Sequence, residues 1–163
     1  KTALKWFKLA AEQGNTHAQT FLGSMYGVGK GNPQDYKTAL KWFKLAAKKG
    51  NRIAQVKLGD MYAQGLGVPR DSKTAAKWFK LAAKQGDAGA QTGLATMYAL
   101  GSGVSKDYIR AHMWANLAAR KKSKLGELGA KLRDDFEKKM TPAQIAEAEK
   151  LARECVRNKY KGC

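Results

Sequence analysis

The stretch "KTALKWFKLAAEQGN" at residues 1–15 returns as "KTALKWFKLAAKKGN" at 37–51 and as "KTAAKWFKLAAKQGD" at 73–87. A looser copy, "IRAHMWANLAARKKS", stands at 109–123. Starts at 1, 37, 73 and 109 give a period of 36 residues. The second halves keep step, with "AQTFLGSMY" from 18, "AQVKLGDMY" from 54 and "AQTGLATMY" from 90. A fixed period of this length is the sequence signature of stacked repeat architectures.

Each repeat reads as two helices. In the first, Ala3, Trp6, Phe7, Ala10 and Ala11 recur at the i, i+3, i+4, i+7, i+8 spacing of one apolar helical face. Gly14, Gly50 and Gly86 stand where a left-handed helix end is needed, and Asn15, Asn51 and Asp87 follow as N-caps. The second helix offers Ala18, Leu22, Met25 and Tyr26 for packing. It ends in a glycine-rich turn before Asp35, Asp71 or Asp107 caps the next unit. Hairpins this small cannot bury their faces alone, so they stack.

The predicted fold is all-α, an αα-solenoid of 36-residue helix-turn-helix repeats. One domain spans 1–163, with repeats at 1–36, 37–72, 73–108 and 109–140 and a capping helix at 141–160. In "MTPAQIAEAEKLARECV", Thr141, Pro142 and Gln144 form a capping-box pattern. Ile145, Ala148, Ala152, Cys155 and Val156 would close the apolar end of the stack. The other end has no such cap, which predicts exposed packing surface and end-to-end self-association. The chain begins at Lys1 inside a helical pattern, which points to sequence upstream of it.

These residues resemble the Sel-one-like repeat family, relatives of the tetratricopeptide repeat. The pattern is matched at Ala39, Trp42-Phe43, Ala46-Ala47, Gly50, Ala54-Gln55, Leu58-Gly59, Met61-Tyr62, Gly65, Gly67-Val68 and Asp71. The ending "MTPAQIAEAEKLAR" resembles that of bacterial members. Asn32, Ser72 and Lys122 depart from the pattern, at the loop valine, a tyrosine and a helix-ending glycine. The resemblance implies a right-handed superhelix acting as an adaptor that binds protein or peptide partners on its concave face. It also favours a periplasmic or secreted setting.

Charge narrows the partner. The chain carries 31 Lys plus Arg against 13 Asp plus Glu, a formal charge of +18, which favours acidic partners or polyanions. At about 100° per residue, Lys1, Lys5 and Lys8 fall opposite the apolar face. The same positions are Lys37, Lys41, Lys44 and Lys48 in the second repeat and Lys73, Lys77, Lys80 and Lys84 in the third. Like charges at i, i+4 destabilise a helix by roughly 0.2–0.5 kcal/mol per pair. Residues 1–108 hold six acids; Asp35, Asp71, Asp87 and Asp107 are at caps, leaving Glu12 and Asp60 elsewhere. The stripe reads either as a groove for an acidic peptide or protein segment, or as a solvated face copied by duplication. A charge-driven binder of anionic glycan, nucleic acid or membrane surface is the alternative function. In the fourth repeat Ile109, Met113 and Asn116 break the stripe before Arg120, an apolar step suited to a hydrophobic anchor on an acidic peptide.

Other features carry less chemistry. "MYGVGKGNPQDY" at 25–36 suggests a phosphate loop, but Gly29 and Gly31 recur as Gly65, Gly67, Gly101 and Gly103, whereas Gly27 and Lys30 do not recur. The glycines therefore serve chain reversal, and Asn32 makes this turn the one expected to be loosest. Trp6, Trp42, Trp78 and Trp114 lie at the edge of the apolar face and are expected to pack between helices. His17 and His112 are isolated, and Asp134, Asp135 and Glu137 lie among basic residues on a mixed-charge helix surface. No nucleophile motif or metal spacing occurs, so neither an enzyme nor a cofactor is expected. Cys155 is expected as a buried thiol and Cys163 as free or a crosslink site; a bond between them requires the last helix to end near Lys159 and is not expected. No transmembrane run or signal peptide is visible in the chain.

Overall fold

The structure is a computed structural model that describes residues 2–29 and 33–163. Every helix and strand assignment among them is helical: α1 (Thr2–Glu12), α2 (Thr16–Val28), α3 (Tyr36–Lys48), α4 (Arg52–Gln64), α5 (Ser72–Ala83), α6 (Ala88–Leu100), α7 (Tyr108–Ala119), α8 (Lys124–Glu137) and α9 (Pro142–Arg157). The expected looseness of the first turn concerns Asn32, which lies outside the described residues. Two compact units, residues 1–78 and 79–163, divide the chain.

The turn inside each hairpin is built from backbone geometry that the sequence encodes. At the end of α3, the Gly50 N–H donates to the Ala47 carbonyl and the Asn51 N–H to the Ala46 carbonyl. That pair of bonds is a Schellman motif, and Gly50 supplies its left-handed residue at φ 86°. Asn51 then begins the next helix, its side-chain oxygen accepting from the Ala54 N–H at 3.0 Å. Asn15 and Asp87 do the same for α2 and α6.

A buried glutamine locks each turn. Gln19 Nε2 donates to the Ala11 carbonyl at 2.9 Å, Gln55 to Ala47 at 3.2 Å and Gln91 to Ala83 at 3.1 Å. These carbonyls lie in the last turn of α1, α3 and α5, where the helix leaves acceptors without internal partners. Between hairpins, Gly29, Gly65 and Gly101 end the second helices in left-handed conformation. Then Asp35, Asp71 and Asp107 each donate their N–H to the carbonyl of Tyr26, Tyr62 or Tyr98 at 2.9 Å. Gly67 is required sterically as well, since a Cβ there would lie 2.6 Å from the Tyr36 carbonyl carbon.

In the first unit, Ala39, Leu40, Phe43, Ala46, Ala47, Ala54, Leu58 and Met61 form the main core, with Trp78 packed against it. Trp42 packs in the same way against the smaller cluster of Ala11, Ala18 and Leu22. These tryptophans are packing residues, as expected. Trp6 departs from that expectation, being 65% exposed, and Phe7 stacks on Phe21 with ring centroids 4.3 Å apart.

In the second unit, Trp114, Leu117 and His112 of α7 are fully enclosed. Helix α9 packs on α7 and buries Ala148, Ala152 and Cys155, with the Thr141–Gln144 capping box formed as the sequence indicates. One expectation fails: Cys155 and Cys163 form a disulfide, with Cα atoms 5.7 Å apart. The helix stops at Arg157, before the expected 160, and Lys159 (φ 49°) and Tyr160 (φ 62°) turn the chain back. The Tyr160 N–H donates to the Cys155 carbonyl at 2.7 Å, which brings Cys163 beside the helix.

Two outcomes test this account. Leu94→Ala, in the fully packed second unit, is expected to lower stability by about 2–5 kcal/mol. Gln91→Leu, which removes one buried hydrogen bond, costs about 0.5–1.5 kcal/mol; denaturant titration of both variants gives the order. The second outcome concerns acid. The Thr38 and Thr74 hydroxyls (2.6 Å) and then their backbone N–H groups hold the Asp35 and Asp71 carboxyls below the ordinary aspartate range. A depressed folded-state pKa contributes stability that is present above the unfolded value and lost as pH falls through the folded one. Melting temperature should therefore drop below roughly pH 4, and Asp35→Asn with Asp71→Asn should flatten that drop.

Candidate functional site

The lysine stripe takes its place from the helix phase. On α3, Ala39, Phe43, Ala46 and Ala47 turn inward, so Lys37, Lys41 and Lys48 stand on the exposed side. Lys44 lies at the edge, half-buried, with its ammonium 5.7 Å from the Tyr62 ring centroid. That geometry suits a cation–π contact. On α1, Lys5 and Lys8 are exposed.

Helix α5 repeats the arrangement. Lys73 and Lys77 are exposed, whereas Lys80 and Lys84 are half-buried. Burial pushes the Lys80 ammonium pKa down, and the positive charges of Lys84 and Arg110 push it further the same way. Arg110 stacks 5.8 Å from the Tyr98 ring and reaches Asp107 at 3.5 Å. Among the described residues, no ion pair within 4.0 Å involves Lys41, Lys44, Lys48, Lys77, Lys80 or Lys84. The nearest relief is weak: Lys41 and Lys77 lie close enough to Asp35 and Asp71 to favour those carboxylates.

The fourth repeat behaves differently from the expectation. Met113 is only 5% exposed and cannot serve as an apolar step for a partner; Asn116 is half-buried and Arg120 exposed. Helices α6, α8 and α9 all pack on α7, and both Met113 and Leu117 are buried. The apolar break in the stripe is thus internal packing.

The sequence reading passed over a second feature of the same helices. Leu9, Leu45 and Leu81 are exposed by 45%, 46% and 46%, although they belong to the repeated "KWFKLAA". The signal was there: at 100° per residue Leu45 lies next to Lys41 and well away from Ala39, outside the buried arc. Arg110 was also missed, because the lysine period does not reach its position.

Elsewhere, chemistry is sparse. His112 is enclosed, with Nε2 2.9 Å from Glu137 Oε1, and joins α7 to α8; His17 is exposed. Asp134 and Asp135 pair with Arg133 and Lys138 on the α8 surface. A cleft of about 350 Å³ between α2, α3 and α4 is lined mainly by Val28, Tyr36, Phe43, Met61 and Leu66, with Lys57 and Asp60 also on its wall. Among the described residues no group of three His, Cys, Asp or Glu side chains could hold a metal ion, and no helix is long and apolar enough to cross a membrane.

Comparison with known proteins places the chain in a family. The Sel1 repeat pattern matches residues 1–15, 16–51, 52–87 and 88–123. A solved Sel1 repeat protein from Oxalobacter formigenes is similar at a TM-score of 0.73 and 34% identity, covering 82% of this chain and 99% of that one. A protective antigen of uropathogenic Escherichia coli strains, displaying an SLR fold, is similar at a TM-score of 0.72 and 30% identity. That alignment covers 97% of this chain, which spans 42% of the Escherichia coli protein. Comparison with curated proteins finds no match. Sel1 repeat proteins are generally non-enzymatic scaffolds for protein interaction. With four consecutive repeat matches and two solved neighbours of the same architecture, the chain belongs to the Sel1 repeat family.

Proposed function

We propose that this chain is a non-catalytic scaffold that binds an acidic segment of a protein partner on the lysine-bearing faces of α1, α3 and α5. The observation that carries the proposal is the cluster of Lys80, Lys84 and Arg110. Among the described residues, Lys80 and Lys84 are half-buried without an ion pair of their own, and the Lys80 ammonium pKa is lowered first by burial and then by the charges of Lys84 and Arg110. Asp107 answers Arg110 at 3.5 Å, and an incoming carboxylate would favour the charged form of Lys80 in the same way. Lys5, Lys8, Lys37, Lys41, Lys44, Lys48, Lys73 and Lys77 extend the same chemistry along the first helices.

The formal charge of +18 favours a second reading, a polyanion binder that recognises nucleic acid, anionic glycan or a membrane surface through charge alone. Salt separates the two. A polyanion held by six to ten phosphate contacts loses roughly 10³–10⁵ in affinity between 50 and 200 mM salt. An acidic protein segment held at a few cationic positions should lose about tenfold. The measurement is a titration of oligoglutamate and of a single-stranded oligonucleotide at both salt levels. Reversing Lys41, Lys44, Lys77 and Lys80 to Glu should reduce oligoglutamate binding at least about tenfold. Unchanged binding would leave the stripe a solvated surface.

We also propose self-association through the exposed side chains of Trp6, Phe7 and Phe21, because large exposed apolar patches drive contact. Sedimentation should show mass rising with concentration, and Trp6→Glu with Phe21→Glu should restore monomers. A monomer at every concentration would refute the self-association.

A further inference from the structure

The fourth repeat closes a face that the second leaves open. Met113 and Leu117 of α7 stand two periods of 36 after Lys41 and Leu45 of α3. Both are buried on α7, while Leu45 is 46% exposed on α3. The helix that α7 carries in addition is α9. It is amphipathic: Ala148, Ala152 and Cys155 are buried, Ile145 and Val156 half-buried, and Glu147 and Glu149 exposed. On one of its first helices, then, the molecule already holds a docked helix.

On α3 the corresponding ground is apolar at its centre and cationic around it. Leu45 has Lys41 at i−4, the half-buried Trp42 at i−3, and Lys48 and Lys49 at i+3 and i+4. Residues at those spacings share one patch of helix surface. Leu81 on α5 is exposed to the same degree, with Lys84 at i+3. A helix laid there meets an aliphatic side chain flanked by ammonium groups. It must therefore carry small or aliphatic residues along one stripe and acids beside it, whereas on α7 Met113 stands where α3 has Lys41 and only Arg120 and Lys121 remain beside Leu117.

We propose that the outward face of α3, and separately its copy on α5, each dock an acidic amphipathic helix of a partner protein, as α7 already holds α9. Leu45 is the apolar anchor of the first and Leu81 of the second, and the neighbouring lysines select acids. The proposal rests on the acidic-partner reading and adds the secondary structure of the partner and the residues that set its specificity. Helix-in-groove recognition reads its targets through anchors at i, i+3, i+4 and i+7, which a chain without an apolar stripe cannot supply.

The probe is a labelled synthetic peptide of residues 141–157 carrying Lys150→Glu, Arg153→Glu, Arg157→Glu and Cys155→Ala, titrated against the whole protein. Saturable binding is expected, with helicity rising on binding. A scrambled peptide of the same composition, and so of the same charge, should bind at least about tenfold more weakly, which corresponds to about 1.4 kcal/mol. Leu45→Ala with Leu81→Ala should weaken the designed peptide by a similar factor while leaving oligoglutamate unaffected. Equal binding of the scrambled peptide or of an oligonucleotide, together with indifference to the leucine variants, overturns helix docking. In that case sensitivity to Lys41→Glu and Lys80→Glu keeps the acidic-partner reading alive, and insensitivity removes both. Failure of the designed peptide to bind at millimolar concentration, while oligoglutamate still binds, also overturns helix docking alone.

Discussion

The contact on which the architecture depends is the side-chain amide of a buried glutamine donating to a carbonyl at the end of the preceding helix. It occurs three times, from Gln19, Gln55 and Gln91. Each acceptor already takes a bond from the left-handed glycine of the turn. The glutamine completes the set and fixes the second helix of the hairpin against the last turn of the first. Without that register, Ala54 and Leu58 could not meet Phe43 and Ala47 in one core. A leucine at the glutamine position would fill the space but leave the helix end short of a donor. That cost explains why a polar side chain sits at so enclosed a place.

Because the hairpin is so firmly specified from inside, its outward face is free to vary. On α3 and α5 that face carries lysines around an exposed leucine, and on α7 it carries the buried Met113 and Leu117. One backbone position is thus exposed as Leu45 and Leu81 and buried as Leu117. The change from Lys41 to Met113 accompanies that difference.

Most of the fold was legible before any coordinates, because the caps, the left-handed glycines and the apolar phase are local and each recurs. Asn51, Gly50 and Gly65 were assigned correctly from their residue types alone. The errors came where long-range packing decides. Met113 reads as exposed if its repeat is taken alone, since nothing in 109–123 says that the helices packed on α7 will enclose it. The Cys155–Cys163 bond was missed because it depends on two non-glycine residues, Lys159 and Tyr160, adopting positive φ, which sequence disfavours. The leucines were missed for another reason: an apolar residue inside a helical repeat is assumed to be core until its phase is measured.

The disulfide has a consequence for how this end of the molecule can be taken apart. Cys155 and Cys163 close a ring, separated by 8 in sequence, whose interior includes Arg157, Lys159 and Lys161. A protease that cuts once after any of these basic residues opens the ring but releases nothing, since both sides remain joined through sulfur. Only a thiol reductant turns such a nick into a lost tail. The basic end is therefore durable in oxidising surroundings, where disulfides persist, and becomes expendable in reducing ones.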